Sequence, residues 1–93
     1  MVTLPELKAH LRVEQDEEDA TLAMLLSVAK ATAESFCRAP FVDDAPEPVR
    51  LAVLLHAGHF YTNRENGNVE AYRTMMQAFH SLLWPYRDPD KLI

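Results

Sequence analysis

The segment LLHAGHFYTNRE, residues 54–65, contains several residue types that bind metals or transfer protons. His56 and His59 are three positions apart, and Tyr61 and Arg64 follow within the same segment. Residues three apart share one face of a helix, so the two imidazoles could bind one ion or exchange a proton. The segment is therefore either an active site or part of a buried helix that carries a few polar residues.

The sequence around this pair favours the buried helix. A zinc site needs three or four ligands, and a catalytic zinc also needs an activated water. The chain has no H-E-x-x-H motif, no glycine-rich phosphate loop and no G-x-S-x-G. His10, His80 and Cys37 are distant in sequence, and Cys37 is expected to end a helix, where the dipole raises the pKa of a thiol. We expect no catalytic residue, no metal and no cofactor, and therefore not an enzyme.

Length and charge narrow the function further. The chain has 93 residues, enough for one domain, residues 1–93, and is 48% hydrophobic. The net charge is −5, and the nine basic residues are spread almost evenly along the chain. A protein that binds nucleic acid tightly through its phosphates needs a concentrated basic surface. Tight DNA binding is therefore not expected, although passage of DNA nearby is compatible with this charge.

The cysteine content and the first residues indicate the compartment. Cys37 is the only cysteine, which excludes an intrachain disulfide and fits a reducing cytosol. The opening MVTLPELKAH lacks the basic and apolar regions of a signal peptide. No apolar run approaches the roughly 20 residues that span a bilayer. We expect a soluble protein made in the cytoplasm, with no membrane association.

Hydrophobic periodicity predicts an all-α fold, a single small domain of about four helices with a short extended C-terminal tail. Thr3 and Glu6 form a capping box for the first helix, and Asp16 can cap the second. Gly67 is expected to end the third helix in the left-handed conformation. The predicted helices lie near residues 4–12, 17–37, 48–65 and 69–83, and the tail covers 85–93.

Two of these helices carry more apolar surface than one chain needs for its own core. The second helix has a core stripe formed by Leu22, Leu25, Leu26, Ala29, Ala33 and Phe36. On roughly the opposite side it has a band formed by Met24, Val28 and Ala31. The third helix is apolar nearly all round between Leu51 and Tyr61, and such a helix must be covered on every side. Either it is the central helix, or a neighbouring subunit covers one flank.

The fourth helix has the clearest amphipathic pattern. Its expected core face consists of Val69, Tyr72, Met75, Met76, Phe79, Leu82 and Leu83. Pro85 ends the helix, and Trp84 and Tyr86 flank it. These two aromatic residues either anchor a partner or fold back onto the core of their own chain.

Three segments together resemble the small head–tail connector (adaptor, or head-completion) proteins of tailed bacteriophages and prophages. They are LPELKAHLRVEQDEEDATLAMLLSVAKATAESF near the start, PEPVRLAVLLHAGHFYTNRE in the middle, and the closing LLWPYRDP. They cover about two-thirds of the chain in the order typical of that family. The longer amphipathic helix in NGNVEAYRTMMQAFHSLL departs from the brief final helix of many members, which affects how a tail would attach.

The resemblance implies a structural virion protein without catalysis or cofactor. Such proteins form a ring, twelvefold on the portal, that extends the DNA channel and offers a docking surface for tail or head-completion proteins. Double-stranded DNA passes through without specific binding, and the acidic balance suits such a conduit because like charges repel. The protein would be in the host cytoplasm during assembly and then at the head–tail junction. The residues expected at subunit or partner contacts are Met24, Val28, Ala31, His56, His59, Tyr61, Arg64, Trp84, Tyr86 and Arg87.

Two other classes of function remain open from sequence. One is a small cytosolic helical adaptor or regulator that binds a single protein partner as a monomer or dimer. The other is an enzyme or metal protein that uses His56 and His59. Within the connector interpretation, the histidine segment is the latter half of a scaffold helix, in which Ala57 and Gly58 let another backbone approach closely.

Overall fold

The computed structural model describes residues 1–41, 45–63 and 68–87, and within these ranges the fold is helical without strands. The all-α prediction is confirmed. The helices are α1 (Leu4–Leu11), α2 (Asp19–Cys37), α3 (Glu47–Thr62) and α4 (Val69–Leu83), followed by a short 3-10 helix (Trp84–Tyr86). The start of the predicted tail is thus helical instead of extended. The predicted cap at Gly67 and the tail residues 88–93 lie outside the described residues.

The start of α1 follows the predicted capping box. The Glu6 backbone N–H donates to Thr3 Oγ1 at 3.3 Å, and the Thr3 backbone N–H donates to Glu6 Oε1 at 3.0 Å. Pro5 occupies the first turn, where its missing N–H costs no helical hydrogen bond. Helices α1 and α2 each end at an arginine in the left-handed conformation, Arg12 (φ 58°) and Arg38 (φ 57°).

The prediction that Asp16 caps α2 is wrong. The helix begins at Asp19, and the residue before it, Glu18, makes no capping hydrogen bond with its side chain. Asp16 instead accepts a hydrogen bond from Lys8 Nζ at 2.6 Å, and Asp19 accepts one from the same ammonium at 2.8 Å. This ion pair ties the turn after α1 to the start of α2, and it holds the pKa of Asp16 below its usual value.

Helix α3 is the central element, as one of the two alternatives from sequence predicts, and it packs against α1, α2 and α4. The Tyr61 hydroxyl donates to Glu18 Oε1 at 2.7 Å, which places the start of α2 beside the end of α3. Phe36 and His80 stack with ring centroids 4.5 Å apart, so α2 and α4 end side by side. Both outer helices therefore run antiparallel to α3.

The core lies between these three helices and α1. Its largest fully buried side chains are Phe79, Leu7, Leu22, Leu83, Val49, Val53 and Cys37. The core stripe predicted for α2 is confirmed at Ala29 and Ala33, which are also fully buried. The face predicted for α4 is only partly correct, because Val69 is 62% exposed and Tyr72 is 44% exposed.

The molecule is thin in one direction. Its principal extents are 42 × 31 × 17 Å. A plate of this thickness leaves part of its central helix uncovered, and Leu51 of α3 remains 42% exposed.

Candidate interaction surfaces

The exposed residues on the side of α2 that faces away from the core are uncharged over about four turns. We define the α2 outer face as the exposed residues Ala20, Ala23, Met24, Ser27, Val28, Ala31 and Ser35. Met24 is 59% exposed and Val28 is 48% exposed, and the other five side chains are small. Soluble helices usually place charged residues on the face that meets water. This face thus has the composition of a contact surface, and it includes Met24, Val28 and Ala31, the apolar band predicted from the sequence.

A groove lies on another side of the molecule, between α3 and α4. We define the α3–α4 groove by its lining residues, and it encloses about 490 Å³. Leu51 of α3 lies about 200° around the helix from the buried Val49 and Val53, so the groove is opposite the buried side of α3. The lining residues are Glu47, Pro48, Arg50, Leu51, Leu54 and Leu82.

The polar residues of the groove lie at its rim. The Arg50 guanidinium forms an ion pair with Glu6 of α1, which neutralises its charge within the protomer. Glu47 is exposed in the first turn of α3, where its carboxylate faces the positive end of the helix dipole. Between them the floor is made of leucine and proline side chains, so this surface also has the composition of a contact surface.

A third surface is formed by aromatic and basic side chains where α2 and α4 end. The Arg87 guanidinium carbon lies 4.9 Å from the ring centroid of Phe36 and 4.9 Å from that of Trp84. Trp84 is nevertheless 63% exposed. Tyr86 is half-buried and packs against the core. Of the two aromatic residues near the C-terminus, Tyr86 therefore folds back onto its own chain, while Trp84 offers an exposed ring held in place by an arginine.

The histidine pair does not form an open site. His56 is 5% exposed, and its ring lies among Phe60 and Phe79, with centroids 5.0 and 5.1 Å away. Its Nδ1 is buried and has no hydrogen-bond partner. Burial, together with the nearby His59, lowers the pKa of His56, so the ring is held in its neutral form. The position of His56 supports a role in packing the core of its own chain.

His59 is half-buried at the end of the same helix. Its ring contacts Phe60 and Tyr72, and its Nδ1 lies 3.4 Å from Asn63 Nδ2. Across residues 1–41, 45–63 and 68–87, no three histidine, cysteine, aspartate or glutamate side chains come together as a metal site would require. His56 and His59 therefore pack within aromatic surroundings rather than around a preformed ion site.

The structure also shows the surroundings of Tyr61 and Cys37, two further residues considered in the sequence. Tyr61 holds the start of α2 through its hydrogen bond to Glu18. Arg64 lies outside the described residues. Cys37 is fully buried, and its Sγ is 3.7 Å from the Leu83 carbonyl oxygen, to which the thiol donates. Burial raises the pKa of this thiol, against the opposing charge of Arg87, so the direction expected from sequence holds but the main cause differs.

The prediction about Ala57 and Gly58 needs a correction. Among the described residues no backbone atom of another helix lies within 4 Å of a methyl group placed on Gly58, and the nearest atom is Leu11 Cδ2 of α1 at 3.2 Å. The glycine accommodates a leucine side chain of the same chain. Sequence reasoning also missed the α3–α4 groove, because nothing in the spacing of Leu51 and Leu82 indicates that their helices place them side by side.

The fold and its exposed surfaces define a class of protein: a small all-α domain with exposed apolar surfaces. A family model described as Phage gp6-like head-tail connector protein matches residues 1–87. The chain belongs to this family, and its role is that of a structural connector of a phage particle. No curated protein and no solved structure was found to match the chain. None of the helices in the described part of the chain combines the length and hydropathy needed to cross a bilayer.

Proposed function

We propose that this protein forms a ring between the portal and the tail at one vertex of a phage or prophage-derived particle. The ring extends the channel through which double-stranded DNA passes, and it provides the surface on which tail or head-completion proteins dock. The observation that carries the proposal is the family match over residues 1–87, on a chain that exposes two unlike apolar surfaces.

The two surfaces support a ring in particular. A symmetric dimer pairs the same patch on both copies, whereas a closed ring needs two different patches on each subunit. The α2 outer face and the α3–α4 groove share no residue and no helix. A chain that binds only one partner has no need of a second contact surface, so the two surfaces favour the ring over the single-partner adaptor.

The remaining roles follow from the net charge and from the third surface, formed by aromatic and basic side chains where α2 and α4 end. The net charge of −5 keeps a passing DNA duplex from adhering to the channel wall. The exposed Trp84 ring, fixed by Arg87, is a candidate contact for the portal or a tail protein, since tryptophan and arginine are enriched at the energetic centres of interfaces. A map of the assembled ring with a basic channel wall would contradict the first of these two roles.

The test is deletion of the gene from the phage or prophage, followed by complementation. We expect cells that lack the protein to accumulate heads without tails, and wild-type protein in trans to restore tailed particles. Purified chain mixed with the portal protein from the same gene cluster should add a ring to it, visible by electron microscopy and countable by native mass spectrometry. Normal tailed particles from the deletion strain, or no binding to the portal, would overturn the proposal.

A further inference from the structure

We infer that the ring is built by one contact repeated around it: the α2 outer face of one copy lies in the α3–α4 groove of the next. This inference rests on the proposed function and specifies which surface meets which. The occupant of the groove is thus a second copy of this chain. Four observations on the described residues support the pairing: the shape, the chemistry, the charge and the number of the two surfaces.

The shape of the α2 outer face suits insertion. Between Ala20 and Ser35 the face runs about 22 Å along the helix, more than half of the 42 Å long dimension of the molecule. Alanine and serine side chains at five of its positions let another helix approach closely, while Met24 and Val28 project from it. Methionine is flexible and fills irregular spaces, which suits a side chain that enters a groove.

The chemistry of the groove is complementary. Leu51, Leu54 and Leu82 present aliphatic carbon, and the space of about 490 Å³ is open to solvent in the isolated chain. Covering these leucines with Met24 and Val28 removes apolar surface from water on both partners. Burial of apolar surface therefore favours contact between the α2 outer face and the α3–α4 groove.

Charge also permits this contact. No charged residue lies among the exposed positions between Ala20 and Ser35, and the two charged residues of this stretch, Lys30 and Glu34, are half-buried. At the rim of the groove, Arg50 is already paired with Glu6 of its own chain. Glu47, the other charged residue that lines the groove, is exposed, so its carboxylate can stay in water while the contact leaves the Arg50–Glu6 ion pair intact. A charged partner segment would lack an opposite charge on the apolar floor.

Number favours copies of this chain over a foreign partner. Every copy carries an α2 outer face and an α3–α4 groove, so in a closed ring each α2 outer face has an α3–α4 groove to enter. A symmetric contact between two α2 outer faces would place two projecting surfaces against each other and leave both grooves empty. The head-to-tail arrangement is the one that covers both apolar surfaces of every subunit.

Engineered cysteines test the pairing directly, because the native Cys37 is fully buried and should not react. Val28→Cys and Leu51→Cys are made in separate full-length chains, one of them with a size tag. The two are mixed, assembled with the portal protein of the same gene cluster, and oxidised. We expect a mixed Val28–Leu51 dimer, at least ten-fold more abundant than the dimer between Val28→Cys and the control Gln77→Cys. A single chain that carries both substitutions should give a ladder of covalently linked oligomers on a denaturing gel.

Two outcomes overturn the inference. One is dimerisation of Val28→Cys alone to the same yield as the mixture, which would indicate a symmetric contact between α2 outer faces. The other is a ring on the portal, seen by electron microscopy, that gives no mixed dimer; the pairing would then be wrong while the proposed function stands. Failure to bind the portal at all would contradict the proposed function, and the inference with it.

Discussion

The outward faces of α2 and α4 differ although both helices pack on α3 through apolar inner faces. The exposed positions of α4 include Glu70, Arg73, Thr74 and Gln77. Those of α2 between residues 20 and 35 are alanine, serine, methionine and valine. Charged and amide side chains keep their hydration when a face stays in water, whereas an uncharged face gains by being covered.

This difference indicates which of the two helices leaves an uncharged surface exposed to solvent in the isolated chain. Helix α4 has one buried face and one largely polar face, the composition of a helix whose outer side stays in water. Helix α2 has a buried face and a second surface whose exposed residues carry no charge, the composition of a surface that another protein covers. The exposed apolar residues of α4, Val69 and Tyr72, lie in its first turns and do not continue along the helix.

The largest expected effect is on the inner face of α4. Phe79 is fully buried, and its ring faces His56. We expect Phe79→Ala to lower the free energy of unfolding by about 3–5 kcal/mol, because it removes the burial of the ring and leaves a cavity. Urea denaturation followed by circular dichroism measures this loss. The control Gln77→Ala on the outer face should change stability by less than about 0.5 kcal/mol. Equal losses would mean that the two faces of α4 do not differ as described.

Much of this contrast is predictable from sequence, and the reason is local. The 3.6-residue period identifies which residues of a helix share a face, so the α2 core stripe and the outward Met24 and Val28 follow from spacing alone. Periodicity does not say how far a neighbouring helix extends. For that reason Val69 and Tyr72 look like core in the sequence and are exposed in the fold.

The α3–α4 groove and the role of Asp16 could not be predicted from the sequence for a related reason. The α3–α4 groove depends on how two helices place Leu51 beside Leu82, which no local pattern contains. Asp16 looks like a helix cap in the sequence, yet Lys8, eight residues earlier, competes for its carboxylate. Interactions between residues distant along the chain decide both cases.

The second prediction tests the outer faces directly. Val28→Arg places a charge on the uncharged face of α2, and Gln77→Arg places the same charge on the polar face of α4. We expect the first to weaken association of subunits on the portal by about 10- to 100-fold, equivalent to about 1.4–2.8 kcal/mol, because the charge must be desolvated. The second should have little effect. Sedimentation or mass photometry of portal–connector mixtures measures the difference.

Both arginine variants should keep the stability of the monomer within about 0.5 kcal/mol, since both sites are exposed. This check separates a lost contact from a damaged fold. If Gln77→Arg impairs association as much as Val28→Arg, the outer face of α4 is also a contact surface and the contrast between the two helices fails.

The third prediction concerns how the buried His56 makes the stability of the fold depend on pH. The pKa of His56 is lowered in the folded state, so below about pH 6.5 the unfolded chain binds more protons at this residue and stability decreases. The loss grows as the pH falls towards the folded pKa, by at most about 1.4 kcal/mol for each pH unit. Because Nδ1 has no partner, His56→Leu removes a buried polar atom without breaking a hydrogen bond. The variant should therefore gain stability relative to wild type at pH 5 more than at pH 8.

The measurement is urea denaturation at several pH values, with a substitution of the exposed His10, His10→Gln, as the matched control. A stability difference between His56→Leu and wild type that does not change with pH would mean that the imidazole does not titrate differently on folding. In that case its aromatic neighbours Phe60 and Phe79 do not hold it neutral.

The smallest expected effect compares how the two outer helices begin. Asn68 Oδ1 accepts the Ala71 backbone N–H at 3.0 Å and caps α4, whereas Glu18 before α2 makes no such bond. Asn68→Ala should cost about 1 kcal/mol, a decrease in Tm of about 4–8 °C for a domain of this size. Asn68→Asp retains an acceptor at the same position and should lose far less. Equal decreases for the two variants would mean that the side-chain oxygen does not cap α4, and that α2 and α4 begin with similar stability.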